Sequence, residues 1–292
     1  KLVLRSGSMS VGQGLETTMT QLVADRFGIP IENVVWDGGD TDLIPFGKGN
    51  GGSGALCIGG SAVMLAVDKV MESARKLAAE VLEAAVVDIE YDAGVFRVAG
   101  TDRTITLAQV GAAAHDPRFI PPGSEGGLVE GGEFTPTAVT FPNGTHICEV
   151  EIDPDTGVTE IVRYSAVEEL GKVLNPLIVA GQIHGGVVQG VGQALGEVII
   201  HDETSGQMLT ASFMDYQMPR AHEYPDFRLA TREVPTKVNP LGAKGVGEAG
   251  TVGALGAAMN AINDALAQVG IRHFDMPATP VRVWQAIREA KA

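Results

Sequence analysis

The sequence predicts an α+β fold with two lobes of mixed sheets, in which Gly-rich turns lead into helices. Strand and helix patterns follow one another without a regular βα order. Hairpins are strongly indicated, most clearly where Pro154-Asp155-Thr156-Gly157 separates two alternating segments. We expect a first lobe over residues 1–130 and a second over residues 131–292, connected by the Pro- and Gly-rich stretch His115 to Thr137.

The first lobe is predicted to begin with a short strand at Leu2 and a helix from Leu15 to Phe27. A strand from Ile31 to Trp36 comes next, and then a Gly-rich loop that carries Pro45, Phe46 and Lys48. We expect this loop to be functional because long loops inside a domain rarely serve only as connections. The remaining predicted elements are a periodic helix from Ile58 to Ala85, a hairpin in IEYDAGVFRVAG, and a short helix in TITLAQVGAAAH opened by Thr104 or Thr106.

The second lobe is predicted to contain a hairpin with one solvated face, formed by HICEVEID and VTEIVRYSAVEEL. Asn175-Pro176 should start a long helix, Leu177 to Ala194. A strand pair in EVIIHD and MLTAS follows, and then a strand in RLATREV. Two further helices are predicted, Thr251 to Val269 and Pro280 to Ala290.

The composition excludes several classes of function. With 21 Lys and Arg against 36 Asp and Glu, the net charge of −15 disfavours nucleic acid and anionic membranes. No apolar run is long enough for a membrane span, and the apolar run in the first residues, KLVLRSGSMS, is too short for a secretory signal.

Since the sequence starts at Lys1, we expect a fragment or a processed chain. Cys57 and Cys148 lack metal-ligand spacing and indicate a reducing compartment, so we expect a cytoplasmic protein without an iron–sulfur cluster of its own.

Glu248 is the leading candidate for a reactive carboxylate. It lies in the stretch NPLGAKGVGEAGTVG, where the glycines would let a ligand or a backbone approach closely. A helix is predicted directly after it, so Glu248 should lie near free N–H groups and the positive end of the helix dipole. A Gly-rich helix entry that serves only close packing is the alternative interpretation of this stretch.

The same stretch matches the dinucleotide-binding pattern G-x-G-x-x-G from Gly245 to Gly250. That motif requires an apolar strand immediately before it, whereas VPTKVNPLGAK precedes it here. A nicotinamide-dependent dehydrogenase is therefore a weak hypothesis.

Two glutamines next to glycines are candidate binding residues. Gln13 lies in the turn Gly12-Gln13-Gly14 and Gln189 precedes Gly190, and such an amide can donate to and accept from the edge of a heterocycle. Glycine-opened helix N-termini suit anionic groups, and Thr17 lies in the first turn of the first helix. The pattern therefore indicates a ligand with phosphate or other oxyanions.

Taken together, the motifs resemble one family. The stretches GQGLETTMTQLVADRFGIPIENVVWDGGDTDLIPFG, GNGGSGALCIGGSAV, NPLIVAGQIHGGVVQGVGQALGE, FMDYQMPR and NPLGAKGVGEAGTVGA are similar to the C-terminal part of the molybdenum-binding large subunit of the xanthine dehydrogenase, aldehyde oxidase and aerobic carbon monoxide dehydrogenase family. The sequences of these motifs most resemble those of the bacterial carbon monoxide dehydrogenase-like large subunits. The resemblance covers nearly the whole sequence in the order of the family.

This resemblance implies a molybdopterin-binding domain of a molybdenum hydroxylase, an oxidoreductase that oxidises an aldehyde, a purine or other N-heterocycle, or carbon monoxide. Glu248 would be the general base beside molybdenum. The metal would be held by the pterin, so no side chain would be a direct ligand, although Gly52 and Glu248 would lie near it. The resemblance assigns cofactor binding to these residues: Gly12, Gln13, Gly14, Thr17, Gly52, Ser53, Gln189 and Gly247.

The resemblance also implies partners. The N-terminal half of the molybdenum subunit, an iron–sulfur subunit with [2Fe–2S] clusters and an FAD subunit would complete a dimer of heteromers, and the pterin would be in the plain or the cytosine dinucleotide form. Gly54 replaces a frequent arginine and Leu15 a frequent histidine, which argues against carbon monoxide as the substrate. A non-catalytic module that binds the cofactor or assembles with partners is the alternative function.

Overall fold

The structure, a computed structural model, describes residues 1–44, 46–47, 49–123 and 125–292. Pro45 and Lys48 of the Gly-rich loop, and Ser124 of the predicted connection, lie outside the described residues. The fold is α+β, as predicted. It consists of two compact units: the first comprises Lys1–Val139 and Thr236–Ala243, and the second comprises Thr140–Pro235 and Lys244–Ala292. The lobes 1–130 and 131–292 remain a prediction.

The first unit opens with a strand–helix–strand arrangement. β1 (Leu2–Ser6) pairs in parallel with β2 (Val34–Gly38), and α1 (Leu15–Phe27) connects them. The predicted bounds of α1 are confirmed. The strand expected from Ile31 begins instead at Val34, because Pro30 leads into a 3-10 turn in which Asn33 N–H donates to the Pro30 carbonyl at 3.0 Å.

The long helix of the first unit is shorter than predicted. The expected span Ile58 to Ala85 begins within a π-helical turn (Ala55–Gly60) and continues as α2 (Ser61–Val81). α2 ends because Glu83 adopts a left-handed conformation with φ 44°, which a helix cannot accommodate. At the other end, a Cβ on Gly60 would lie 2.9 Å from the Leu241 side chain, so the π-helical turn is tightly packed.

The rest of the first unit is an antiparallel sheet of β3 (Ile89–Asp92), β4 (Val95–Val98) and β5 (Thr104–Thr106), followed by α3 (Leu107–Ala113). The predicted helix opening is confirmed at Thr106, which forms a capping box with Gln109. The core of this unit is formed by side chains from α1, α2, α3 and both sheets, including Met19, Phe27, Ala74, Ala78, Phe96 and Val110.

The second unit contains a three-stranded sheet. β6 (Asn143–Ile152) and β7 (Thr159–Glu169) form the predicted antiparallel hairpin, and β8 (Arg228–Arg232) pairs in parallel with β7. The predicted solvated face is confirmed because burial alternates along β6: Cys148 is partly buried while its neighbours Ile147 and Glu149 are exposed.

Three helices complete the second unit: α4 (Pro176–Leu195), α5 (Ala249–Ala267) and α6 (Pro280–Lys291). The predicted start of α4 is confirmed, since Asn175 Oδ1 accepts a hydrogen bond from Ile178 N–H at 3.1 Å. The core consists of apolar residues from β7, α4, α5 and α6, including Tyr164, Ile183, Val187, Ile262, Leu266 and Val283.

The strand pair expected in EVIIHD and MLTAS is wrong. Residues 197–212, all described, contain only an isolated bridge between His201 and Met208. Ile199, Ile200 and Leu209 are all exposed, at 63, 48 and 52%. Since no face in the described part of the chain covers these apolar side chains, a regular sheet gains little stability here.

Candidate functional site

Glu248 lies at the N-cap position of α5, as the sequence predicts, and is exposed on the second unit. Its backbone carbonyl accepts the first helical hydrogen bond, from Val252 N–H at 3.1 Å. Gly247 precedes it and is exposed as well. The first-turn N–H groups of the helix and its dipole stabilise a carboxylate at this position. A carboxylate presented in this way can accept a proton from a bound group.

Gln189 reaches the same end of α5 through a close contact between α4 and α5. A Cβ on Gly186 would lie 2.9 Å from the backbone of Gly250, so the two helices touch backbone to backbone. Thr251, in the first turn of α5, donates to the Gly186 carbonyl at 3.0 Å and lies 3.3 Å from Oε1 of Gln189. The packing of the helices thus brings Gln189 to the turn of α5 that Glu248 precedes.

Gln13, in the first unit, braces its own turn. Its Oε1 accepts from Val11 N–H at 2.7 Å, and its Nε2 donates to the Met9 carbonyl at 2.9 Å. The sequence suggested that this amide contacts a heterocycle. In the structure each end of the amide already has one protein partner, which leaves one hydrogen on Nε2 and one lone pair on Oε1 for a ligand.

The turn around Gln13 leads into the N-terminus of α1. Gly12 and Gly14 have φ of 98° and 77°, a left-handed conformation that favours glycine. No atom lies within 4 Å of a Cβ built on Gly12, among the residues that the structure describes. Gly14 is the N-cap and supplies no side chain, so the first N–H groups of α1, next to the exposed Thr17, suit an oxyanion.

A second strained turn lies in the first unit at Gly52 and Ser53. Both are left-handed, with φ of 62° and 53°, and the conformation is unusual for a serine. Asn50 links this turn to that of Gln13, because its Nδ2 donates to the same Met9 carbonyl at 2.7 Å. Its Oδ1 is buried, and no described residue is a hydrogen-bond partner for it. A buried acceptor between two Gly-rich turns fits a ligand that carries N–H or O–H donors.

The structure therefore places the predicted residues in two groups. Gly12, Gln13, Gly14, Thr17, Gly52 and Ser53 belong to the first unit, and Gln189, Gly247 and Glu248 to the second. Sequence reasoning missed Asn50 and Thr251. The signal for Asn50 was its position directly before the glycines of the second motif, and the signal for Thr251 was its position one turn after Glu248.

Two other candidates have structural partners. The Nδ1–H of His184, on α4, donates to the Ala180 carbonyl at 2.8 Å, and its ring stacks on Phe227. Lys244, which precedes the Gly-rich stretch around Glu248, forms a largely buried ion pair with Glu169.

Glu169 has several partners besides Lys244. It accepts from Gly171 N–H at 2.7 Å and from Asn143 Nδ2 at 3.1 Å. Burial raises its pKa, but the hydrogen bonds from Lys244, Gly171 and Asn143 outweigh burial and hold the pKa below its ordinary value. This pair therefore stabilises the fold of the second unit.

In the described part of the chain, no cluster of three or more His, Cys, Asp or Glu side chains could hold a metal ion. No described helix is long and apolar enough to cross a membrane.

Comparison with known sequences identifies the family. The model of the molybdopterin cofactor-binding domain matches residues 1–225. The chain is 41% identical, over 97% of its length and 36% of the relative's, to the 6-hydroxypseudooxynicotine dehydrogenase complex subunit gamma of Paenarthrobacter nicotinovorans. It is 38% identical to the carbon monoxide dehydrogenase large chain of Hydrogenophaga pseudoflava, over 98% of the chain and 36% of that relative.

Solved structures agree. Quinoline 2-oxidoreductase of Pseudomonas putida 86 superposes with a TM-score of 0.86 at 37% identity, over 98% of this chain and 36% of that one. The Cu,Mo-CO dehydrogenase has a TM-score of 0.87 at 36% identity, over 99% of this chain and 36% of that one. The chain thus spans about a third of the length of the relatives that it matches.

The fold, the Gly-rich turns and these similarities define the class: this is a molybdopterin cofactor-binding protein. More narrowly, the chain belongs to the family of molybdenum-binding large subunits of the xanthine dehydrogenase and carbon monoxide dehydrogenase type, and it corresponds to their C-terminal part.

Proposed function

We propose that this chain is the part of a molybdenum hydroxylase that carries the catalytic base and one side of the cofactor site. The observation that carries the proposal is the position of Glu248, an exposed carboxylate at the N-cap of α5. When bound, the molybdenum cofactor would supply the two-electron oxidation of a carbon centre with oxygen derived from water. Glu248 would accept the proton that this reaction releases.

The residues present fit a pterin cofactor with a phosphate. The open, left-handed turns at Gly12 and Gly52 let a ligand approach the backbone, and the N-terminus of α1 offers N–H donors to a phosphate. The buried Oδ1 of Asn50 offers an acceptor to a ring N–H. Gln13, Gly14, Thr17, Ser53, Gln189 and Gly247 would complete the set of contacts. We propose the cytosine dinucleotide form of the pterin, as the similarity to bacterial large subunits suggests.

For the substrate we propose a carbon centre of an N-heterocycle or an aldehyde. Relatives at 37 to 41% identity are named for nicotine, 6-hydroxypseudooxynicotine and quinoline. Other relatives at similar identity are carbon monoxide dehydrogenases. However, Gly54 and Leu15 replace the arginine and histidine that the resemblance associates with that group, which disfavours carbon monoxide.

We further propose that the chain acts in a complex with the N-terminal part of the large subunit, an iron–sulfur subunit and an FAD subunit, as a dimer of such heteromers in the bacterial cytoplasm. The relatives are named as a large chain, a large subunit or a complex subunit.

A strongly exposed apolar segment supports a partner surface on the second unit, because large apolar patches mark interaction sites. It includes Ile199 (63%), Leu209 (52%), Phe213 (79%) and Met214 (92%). We propose that the N-terminal part of the large subunit covers it.

The test uses the complete enzyme purified from its native host. A dye-reduction screen with quinoline, nicotine, xanthine, benzaldehyde and carbon monoxide would identify the substrate, and elemental analysis would measure molybdenum. In the Glu248→Gln variant we expect molybdenum content to stay unchanged and kcat to fall by about 1,000-fold, as for the loss of a general base. Glu289→Gln, exposed near the end of α6 in the same unit, is the matched control. Retained turnover in Glu248→Gln would overturn the proposal.

A further inference from the structure

A hydrogen-bonded network of three buried polar side chains lies in the sheet of the second unit, outside the site described above. His146 on β6 contacts the Tyr164 hydroxyl through Nδ1 at 2.6 Å and Glu168 Oε1 through Nε2 at 2.7 Å. The side chains of His146 and Glu168 are only 4 and 3% exposed, and Tyr164 is fully buried. Such a network is costly unless every member is satisfied, so its geometry is sharply defined.

One arrangement of protons satisfies all three groups. The Tyr164 hydroxyl donates to Nδ1, and Nε2–H donates to the carboxylate of Glu168. Burial, reinforced by the nearby Cys148 and Glu168, raises the pKa of Tyr164 well above its ordinary value, so the hydroxyl keeps its proton. In this arrangement the imidazole is held at both nitrogens and cannot rotate without losing a hydrogen bond.

The face of this fixed ring supports α5. A Cβ built on Gly253 would lie 2.6 Å from three ring atoms of His146, so the helix backbone rests directly on the imidazole. The other end of the network is closed too, because a Cβ on Gly144 would overlap the carboxylate of Glu168. The ring is thus packed against α5 at Gly253, and the carboxylate that holds its Nε2 is packed against β6 at Gly144.

Gly253 is in the second turn of α5, five residues after Glu248 at the N-cap. The position of the imidazole therefore determines how close the first turns of α5 lie to the sheet, and with them the position of the carboxylate. We propose that His146, held by Tyr164 and Glu168, is a positioning residue for Glu248. This inference rests on the proposed role of Glu248 as the base.

The first test is Gly253→Ala in the complete enzyme, assayed with the compound that gives the fastest dye reduction in the screen above. To reach ordinary contact, the added methyl must move α5 and the ring apart from 2.6 Å to at least 3.4 Å. Because small displacements of reacting groups cost up to two orders of magnitude, we expect kcat to fall by about 10- to 100-fold while KM stays within about twofold. Molybdenum content should stay at the wild-type level.

Gly256→Ala is the matched control on the same helix. Gly256 is exposed, and no described atom lies within 4 Å of a Cβ built there. We expect kcat, KM and molybdenum content to match the wild type within about twofold, since only helix propensity changes. Unchanged kcat in Gly253→Ala, or a loss of molybdenum that accounts for the whole loss of kcat, would overturn the inference.

A second pair of variants covers the case in which Gly253→Ala does not fold. Tyr164→Phe keeps the aromatic ring and removes the donor to Nδ1, and we expect kcat to fall by at least about threefold with KM unchanged. Tyr91→Phe is its control, because that hydroxyl donates to the Phe27 carbonyl at 2.5 Å in the first unit. Equal kcat in both variants would overturn the inference. If Glu248→Gln abolishes turnover while Gly253→Ala and Tyr164→Phe do not, the proposed function stands and only the positioning role fails.

Discussion

The hydroxyl of Thr251 on α5 lies 3.3 Å from Oε1 of Gln189 on α4. The same hydroxyl donates to the Gly186 carbonyl at 3.0 Å, at the point where the two helices touch backbone to backbone. A single threonine thus joins the helix that carries Gln189 to the first turn of the helix that follows Glu248. Gln189 and Glu248 are 59 positions apart in the sequence, and their arrangement within the second unit depends on this threonine.

We expect Thr251→Val to weaken this junction. Valine keeps the volume and loses the hydroxyl, which leaves the Gly186 carbonyl without that donor and costs about 1 kcal/mol of unfolding free energy. Molybdenum content should fall as well, because Gln189 loses its neighbour. Thermal unfolding and elemental analysis of the complete enzyme would measure both effects.

Thr159→Val is the control for this variant. The Oγ1 of Thr159 is buried and has no hydrogen-bond partner among the described residues, so replacing it with a methyl should be neutral or stabilising. Equal effects of the two substitutions would show that the Thr251 hydroxyl does not hold the helices together.

We expect Asn50→Ala to loosen the two Gly-rich turns of the first unit. The variant loses the donor to the Met9 carbonyl and the buried acceptor Oδ1. If Oδ1 contacts the cofactor, molybdenum content should fall several-fold, whereas thermal stability should drop by only about 1 kcal/mol, the value of one hydrogen bond. Asn33→Ala, in an exposed 3-10 turn, provides the comparison. Full molybdenum content in Asn50→Ala would contradict a contact with the cofactor.

Local signals in the sequence predicted much of the fold. Asn175-Pro176 and Thr106 were recognisable as helix starts because a capping side chain acts on residues only three positions away. The strand pair after residue 197 failed for the opposite reason. The apolar and β-branched residues typical of strands were present, but strand formation depends on a neighbouring face that covers them, and none does so in the described part of the chain.

The site shows the same division. The position of Glu248 at a helix N-terminus was predictable, since its glycines and the following helix are adjacent to it in the sequence. Lys244 was not, because its partner Glu169 is 75 positions away. His146 drew no attention because it lacks metal-ligand spacing, whereas its actual partners are a tyrosine and a glutamate on the neighbouring strand. Contacts between distant segments come from tertiary packing, which periodicity does not report.

Breaking the ion pair of Lys244 and Glu169 should strongly destabilise the second unit. Lys244→Met leaves a carboxylate that is only 15% exposed without its cation, and we expect a loss of about 3 kcal/mol. The double variant Lys244→Met with Glu169→Gln should recover part of this loss, since no buried charge remains. Chemical denaturation of the wild type, the two single variants and the double variant in a double-mutant cycle gives the coupling energy. Additive effects would contradict a direct interaction.

The same pair predicts a dependence of stability on acid. The folded-state pKa of Glu169 is lowered from its ordinary value of 4.5, so the stability it contributes is fully present above pH 4.5 and is lost as the pH falls through the lower, folded-state value. We expect the difference in unfolding free energy between the wild type and Glu169→Gln to be constant from pH 8 to about pH 5.5 and to shrink below pH 4.5. A difference that grows with acid would contradict this sign.

The two thiols should be unreactive in the folded protein. Burial raises the pKa of Cys57 to about 11, and burial together with the nearby Glu149 raises that of Cys148 to about 11. Only the thiolate reacts with iodoacetamide, so at pH 8.5 both cysteines should be alkylated about 100-fold more slowly than in urea-unfolded protein. Mass spectrometry of the two tryptic peptides, sampled over time, gives each rate separately. Rapid labelling of Cys57 in the native enzyme would mean that the π-helical turn around it opens, since its Sγ otherwise lies 3.4 Å from the Ala243 carbonyl.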